Sequence, residues 1–275
     1  MLIRHEFSDC EVLGLMFKNL PPAVTKDEWL AARRALLQRE KAATKARDRL
    51  NAERRMLPMV RIDKTYEFEG PNGIKRLSDL FEGRPQLIVH HFMFAPEWET
   101  ACSSCSSAAD GIAGLRQLHA RNTSLVAISR APYEKIAAYQ QRMGWSFPWY
   151  SSSGSDFNYD FHATLDDRVK PVLVHFKDQD ELAEQGTPWG NEPWNESMRG
   201  TEMPGISVFA MIEGEVFLTY ATFGRGLEEF HHGYPYLDLT LLGRQEEWEE
   251  PAGRTAALGL QAGGPNLRLP DEYPT

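Results

Sequence analysis

Two cysteines three positions apart, Cys102 and Cys105, constrain this chain more than any other feature of its sequence. They follow the apolar run 87–93 and precede apolar residues at helical spacing, so they stand where a strand passes into a helix. The first turn of a helix offers unpaired N–H groups and a partial positive charge, and both favour a thiolate. With this spacing, the second sulfur can attack a mixed disulfide that the first has formed. The pattern therefore predicts an α/β fold that carries a redox dithiol.

Composition narrows the class of protein. The chain has 275 residues, a formal net charge of −9 and only three cysteines, so a disulfide framework is excluded as the basis of its fold. The acidic balance argues against nucleic-acid and anionic-membrane partners. No run reaches 18 apolar residues, and the stretch from Met1 to Glu6 lacks the core of a signal peptide. We expect a cytoplasmic protein.

The stretch from Thr25 to about Leu57 is predicted to form one long helix. Thr25 and Glu28 have the spacing of a capping box, and Pro58 ends the pattern. Ten Lys or Arg against five Asp or Glu give residues 26–55 a net charge of about +5. Apolar residues recur every seven positions, at Trp29, Leu36, Ala43, Leu50 and Leu57. This stripe is too narrow for a coiled coil and needs a surface to lie on, so we expect a homodimer.

From residue 59 the pattern changes to strands separated by turns. Runs 87–93 and 124–129 are predicted buried strands, apolar residues from Ala108 to Leu118 indicate a helix between them, and Pro132 opens a helix to about Met143. Runs 206–212 and 215–220 form a hairpin around Glu213-Gly214. We predict a helical extension over 1–58, a domain over 59–248 with an insertion at about 145–205, and an extended tail over 249–275.

The order of these elements, with the cysteines at the head of the first core helix, resembles the thioredoxin fold. That resemblance implies a central mixed sheet flanked by helices, here with an N-terminal long helix and a long insertion before the strand that follows a cis-proline. In thioredoxin-like proteins this proline lies against the dithiol, and Pro204 precedes the strand-like run 206–212. The resemblance implies that Pro204 is cis and that the backbone at Met203-Pro204 pairs with an extended substrate.

Over roughly residues 20–248 the chain also resembles a family of predicted dithiol-disulfide oxidoreductases known as domain of unknown function 899. The matching motifs include Glu28-Trp29-Leu30, Gln86-Leu87-Ile88-Val89, His91-Phe92-Met93-Phe94, Cys102-x-x-Cys105-Ser106, Ile128-Ser129-Arg130-Ala131-Pro132 and Ser155-Asp156-Phe157-Asn158-Tyr159-Asp160-Phe161. His162 stands where family members often have glycine.

We therefore predict a thiol-disulfide oxidoreductase that needs no bound organic cofactor. Cys102 is the expected attacking thiolate and Cys105 the resolving thiol. Trp98 is a candidate apolar wall beside the sulfurs, although packing explains it equally well. Arg130 follows a predicted strand and is a candidate for meeting an anionic substrate or for pairing with a structural carboxylate. The expected partner is a protein or small-molecule disulfide or thiol.

Other hypotheses remain open from the sequence. The cysteines could be inert or hold a metal in a non-enzymatic binding or assembly protein, with a ligand from His90-His91 or His231-His232, but a second cysteine pair is missing and we predict no metal site. A peroxiredoxin-like peroxidase is less favoured. In peroxiredoxins the peroxidatic cysteine follows a threonine by three residues, whereas Cys102 follows Thr100 by two. The aromatic residues between Trp145 and Phe161 are expected to form the core of the insertion.

Overall fold

The computed structural model describes residues 20–112, 114–187, 193–230, 234–240, 244–248, 250, 256–261 and 263–272, with the backbone alone at residues 225 and 236. The chain divides into two compact units. One combines Met1–Leu57 with Pro235–Leu267, and the other combines Pro58–Tyr234 with Arg268–Thr275. The predicted division into extension, domain and tail stays a prediction.

The first unit contains the long helix α1, Lys26–Arg54. Its predicted capping box is present, since the Thr25 side chain accepts from the Glu28 N–H and the Glu28 side chain accepts from the Thr25 N–H. None of the helix's residues is buried, and Trp29, Leu36 and Leu50 of the predicted stripe are exposed. The homodimer stays a prediction. Among the described residues, no helix is both long and apolar enough to cross a membrane.

The second unit carries the described strands and most of the remaining helices. In chain order these are β1 (Val60–Arg61), β2 (Glu67–Gly70), β3 (Gly73–Arg76), a 3-10 helix (Leu77–Phe81), β4 (Gln86–His91), α2 (Ser103–Ala109), α3 (Arg116–His119), β5 (Thr123–Ser129), α4 (Tyr133–Met143), β6 (Trp149–Ser151), α5 (Phe157–Asp160), β7 (Thr164–Leu165), α6 (Gln179–Gln185), a 3-10 helix (Glu196–Met198), β8 (Thr201–Glu202), β9 (Gly205–Ile212), β10 (Glu215–Phe223) and a 3-10 helix (Gly224–Phe230). Helix α7 (Tyr234–Leu237) and a 3-10 helix (Pro270–Glu272) follow.

Eight of these strands form one mixed sheet, in the order β1-β10-β9-β4-β5-β6-β2-β3. Strand β4 lies at its centre, parallel to β5 and antiparallel to β9, and β10 returns antiparallel beside β9. The unit β4–α2–β5 followed by the hairpin β9–β10 is the core connectivity of the thioredoxin fold. The predicted fold class is therefore confirmed.

Local sequence explains why the central strands form where they do. Leu87 and Val89 on one face of β4 are fully buried, and on the other face His90 is buried and Ile88 is partly buried, as expected for an apolar strand covered on both faces. The hairpin turns at Glu213 and Gly214, which have φ of 52° and 84°. Positive φ at both positions matches the right-handed twist of the two strands, so the predicted hairpin is confirmed.

Two sequence-based expectations need correction. The helical spacing from Ala108 to Leu118 is divided between α2 and α3, because the intervening segment contains Gly111 and Gly114, which weaken a helix. Residues 149–151 form β6, a parallel strand of the main sheet, rather than part of the insertion. Three fully buried residues are too few to show the alternation that identifies a strand.

The aromatic residues expected to form the core of the insertion pack in the main domain instead, so that prediction was wrong. Phe147 and Trp149 lie in the apolar cluster that contains Cys105, whereas Phe157 and Phe161 join the cluster under β4. The insertion proper (residues 152–204) has its own small core, formed with a strand residue of the main sheet: Leu165, Val172, Val174, Leu182, Met203 and Phe223.

Candidate functional site

The two cysteines lie where β4 delivers the chain to α2. The two ends of the loop that joins β4 to α2 are held together, because the Cys102 N–H donates to the Met93 carbonyl oxygen over 3.1 Å. Cys102 is the N-cap residue of α2 and Cys105 lies in its first turn. The short distance across this loop fixes Cys102 at the end of the central strand, as the sequence predicted.

The two cysteines are free and close to each other. Cys102 and Cys105 lie 3.8 Å apart, a separation at which one thiol donates a hydrogen bond to the other sulfur. A disulfide requires about 2.05 Å between sulfurs, so a small side-chain adjustment separates the reduced from the oxidised pair. Cys105 is buried, whereas Cys102 is partly exposed. Of these two sulfurs, that of Cys102 is the more accessible to solvent.

Hydrogen bonding makes the two sulfurs chemically unequal. The thiol of Cys105 lowers the pKa of Cys102 from 9.0 to about 6, with further contributions from the backbone N–H groups of Cys105 and Ser104, while burial opposes the shift. The same hydrogen bond raises the pKa of Cys105, and burial adds to that rise. At neutral pH the exposed sulfur is therefore a thiolate and the buried sulfur keeps its proton.

A buried hydroxyl pair supports the first turn of α2. The Ser106 hydroxyl donates to the Cys102 carbonyl oxygen over 2.8 Å, and it lies 2.9 Å from the Tyr139 hydroxyl on α4. Ser106 is fully buried and Tyr139 nearly so. The two side chains tie the backbone of Cys102 to a neighbouring helix.

An apolar layer backs the dithiol. Trp98 and Cys102 both pack on the cluster that contains Cys105, together with Phe92 and Trp149. Trp98 is on the loop that precedes the cysteines, and its role as an apolar wall beside the sulfurs stays a prediction. The apolar layer explains why burial resists ionisation of both thiols.

A C-terminal segment completes the same cluster. Leu269 is buried among its members, and Asp271 forms a two-pronged ion pair with Arg142, at 2.7 and 3.1 Å. The 3-10 helix Pro270–Glu272 contacts α2 directly. Residues far along the chain therefore help to cover the dithiol helix.

Arg130 is already paired. Its Nε donates to Glu202 over 2.6 Å, and its Nη1 donates to the Tyr159 hydroxyl over 3.3 Å. Thr164 also donates to Glu202, yet burial raises the pKa of that carboxyl above its ordinary value. The negative charge of Glu202 acts on Cys105, which places the ion pair near the dithiol. Of the two roles considered for Arg130, the structure shows the ion pair.

Met203 and Pro204 directly precede β9, at the end of the sheet where β4 leads to the cysteines. Gly205 of β9 is paired with His91 of β4, and continuing this register by two residues brings Met203 level with Met93. The Met203 side chain is buried in the core of the insertion. Its N–H donates to the Ala163 carbonyl oxygen over 2.8 Å, and the Pro204 carbonyl accepts from the Gly224 N–H. The cis geometry of Pro204 stays a prediction.

The histidines considered as metal ligands are buried in apolar surroundings. Burial lowers the pKa of His90 to about 4 and that of His91 to about 3. His91 Nε2 lies 2.7 Å from the Ser207 hydroxyl, and its ring stacks on Phe157. His231 and His232 lie outside the described residues. In the described part of the chain, no three His, Cys, Asp or Glu residues gather in a way that could hold a metal ion.

Sequence reasoning missed Ser106, Tyr139 and Glu202 as neighbours of the dithiol. Ser106 follows the second cysteine directly and is four residues after the first, the spacing at which a serine bonds back to a carbonyl. That signal was available. Nothing in the sequence pairs Glu202 with Arg130, because the two residues are 72 positions apart.

Comparison with known protein families assigns most of the chain to one family. Residues 18–273 match the family described as bacterial protein of unknown function, DUF899. The chain belongs to this family. The match includes the dithiol, Arg130 and Met203-Pro204, and it confirms the resemblance inferred from the sequence motifs. No curated protein matches this DUF899 chain.

Solved structures similar to this DUF899 protein include peroxiredoxins. Peroxidoxin BcpB from Mycobacterium tuberculosis is 13% identical, with a TM-score of 0.39 over 61% of this chain and 85% of that one. A cysteine-to-serine mutant of PrxQ from Xylella fastidiosa is 11% identical, with a TM-score of 0.38 over 57% and 77%. The hypothetical protein SMc02350 from Sinorhizobium meliloti 1021 is 13% identical, with a TM-score of 0.33 over 62% and 71%. These likenesses are too distant to carry an argument about activity.

Proposed function

We propose that this DUF899 protein is a thiol-disulfide oxidoreductase that cycles Cys102 and Cys105 between dithiol and disulfide. The observation that carries the proposal is the pair itself. The sulfurs lie within hydrogen-bonding distance, the accessible one has a pKa of about 6, and the buried one has a raised pKa. An attacking thiolate and a protonated resolving thiol have this asymmetry.

The reaction begins with attack of the Cys102 thiolate on one sulfur of a substrate disulfide. The substrate S–S bond breaks, a mixed disulfide forms, and one substrate thiolate leaves with the electron pair. Cys105 then loses its proton and attacks the Cys102 sulfur, which releases the second substrate thiolate. The substrate is reduced by two electrons and the cysteine pair is oxidised to a disulfide. An external thiol reductant returns the pair to the dithiol.

The structure favours this order of attack over the reverse. Cys105 is buried, and its thiolate would be penalised both by burial and by the nearby charges of Cys102 and Glu202. Once Cys102 is in a mixed disulfide, its negative charge is gone. The pKa of Cys105 then falls, because the charge of Cys102 is one of the causes that raise it.

The test measures reduction of 2-hydroxyethyl disulfide, a small neutral substrate, with dithiothreitol as the recycling reductant. The wild type is expected to turn over well above the uncatalysed exchange, and Cys102→Ser is expected to fall to that background. Cys105→Ser keeps the attacking thiolate, so it should accumulate a mixed disulfide on Cys102 that mass spectrometry detects. Turnover by Cys102→Ser equal to that of the wild type would contradict the proposal.

A further inference from the structure

The insertion occupies the backbone beside the dithiol that an extended polypeptide would need. We infer that the site takes small-molecule disulfides and does not bind polypeptide substrates by strand pairing. This inference rests on the proposed function, because it names the substrate class of the same cysteine pair. Several backbone hydrogen-bonding groups near the sulfurs are already engaged within the chain.

Strand pairing requires a row of unpaired N–H and C=O groups at a sheet edge. The candidate segment is the one that leads into β9, since the β4–β9 register extended by two residues sets Met203 opposite Met93, whose carbonyl oxygen accepts from the Cys102 N–H. Pro204 has no N–H to offer. The Met203 N–H is therefore the donor nearest the dithiol on this segment.

The insertion already uses that donor. The Met203 N–H bonds to the Ala163 carbonyl oxygen at 2.8 Å, directly beside the antiparallel pair β7–β8, in which Thr164 faces Glu202 and Leu165 faces Thr201. Strand β7 and the adjoining Ala163 thus occupy the position at which an extended substrate would pair with Met203. The Pro204 carbonyl oxygen is bonded to the Gly224 N–H at 3.1 Å.

Side-chain contacts hold the insertion in this place. Thr164 donates to the buried carboxylate of Glu202 over 3.0 Å, and Arg130 binds the same carboxylate. Met203 itself is buried against Leu165. Displacing β7 would therefore expose apolar surface and leave a buried carboxylate with fewer hydrogen bonds, which is costly.

The carbonyl groups of the loop that leads to the cysteines are engaged as well. Every carbonyl oxygen from residue 92 to residue 96 accepts an internal hydrogen bond; the donors are the Ser129 hydroxyl, the Cys102 N–H, the Ala131 N–H, the Trp98 N–H and the Lys135 ammonium, in that order. This loop therefore offers no row of free acceptors either. A disulfide approaching Cys102 meets an apolar cluster and backbone carbonyls that are already bonded, which suits a small molecule.

The test compares two disulfides with the same sulfur chemistry. One is the disulfide of N-acetylcysteine amide, and the other is the disulfide-linked dimer of a neutral, capped eight-residue peptide with cysteine at its centre. We expect kcat/KM for the peptide to equal or fall below that for the single capped residue. A peptide preference of tenfold or more would overturn the inference. If neither substrate is reduced above the Cys102→Ser background, the proposed function itself fails.

A second measurement does not depend on turnover. In Cys105→Ser, the peptide is trapped on Cys102 as a mixed disulfide, and hydrogen exchange of its amides is followed by mass spectrometry. We expect these amides to exchange at the rate of the free peptide, because the Pro204 carbonyl and the carbonyls of residues 92–96 already accept internal hydrogen bonds. Protection of the amides flanking the peptide cysteine by tenfold or more would show strand pairing and refute the inference.

Discussion

The thiol of Cys105 is the largest cause of the low pKa of Cys102, and replacing it tests the chemistry of the pair directly. With a pKa of about 6, Cys102 is about 90% thiolate at pH 7, against about 1% for a thiol at the ordinary value of 9.0. A thiolate of lower pKa is also a weaker nucleophile, by about twentyfold for this shift. The two effects together predict alkylation about four times faster than that of an ordinary cysteine at pH 7.

The pH dependence is more diagnostic than the rate. Between pH 7 and pH 9 the alkylation rate of Cys102 should rise only about 1.1-fold, whereas a thiol of pKa 9.0 gains about fiftyfold. Below pH 6 the rate should fall about tenfold per pH unit, since protonation removes the thiolate. The assay follows iodoacetamide labelling from pH 4 to pH 10, with the label mapped to Cys102 by mass spectrometry.

Two variants isolate the hydrogen bond. Cys105→Ala removes the donor, so the pKa of Cys102 should rise and the rate should climb again between pH 7 and pH 9. Cys105→Ser is the matched control, because its hydroxyl still donates to the sulfur, and its profile should stay closer to that of the wild type. Identical midpoints near pH 6 in both variants would refute this explanation of the shift.

Three further predictions concern the supports of the site and are checked by urea unfolding. Ser106→Ala should lower the free energy of unfolding by about 1–3 kcal/mol, because it leaves the buried Tyr139 hydroxyl without its hydrogen-bond partner. The double variant with Tyr139→Phe should lose less free energy of unfolding than the sum of the two single variants. Arg130→Met should cost about 3–5 kcal/mol at pH 7 by leaving the Glu202 carboxylate buried and unpaired. That loss should shrink as the pH falls through the raised pKa of Glu202, because the protonated acid tolerates burial, and a loss that does not vary with pH would contradict this account. Leu269→Ala should cost about 2–5 kcal/mol, and a cost below 1 kcal/mol would show that the C-terminal segment does not pack on the dithiol helix.

Much of the fold followed from local pattern. Strands β4 and β5 are apolar enough to be covered on both faces, and the Glu213-Gly214 turn specifies its hairpin through positive φ. The capping box at Thr25 predicted the start of α1 correctly. These elements depend on residues that are close together in the sequence, so one sequence alone is enough to predict them.

The site could be predicted only in part. Cys102 and Cys105 could be identified from the sequence because the Cys-x-x-Cys spacing is typical of a redox dithiol. Strand β6 escaped notice because three buried residues show no period, so the aromatic layer behind the dithiol was assigned to the wrong core. The bond from Met203 to Ala163 depends on where the insertion folds back, which no local signal encodes.

The ion pair between Arg142 and Asp271 joins residues 129 positions apart, and Leu269 packs beside it against the helix that carries Cys105. During translation the ribosome therefore completes the dithiol helix long before it makes the residues that cover it. A nascent chain at that stage leaves Cys105 less shielded from dissolved oxidants than in the finished fold. Conditions that slow elongation over the last third of the chain should increase premature oxidation of the pair.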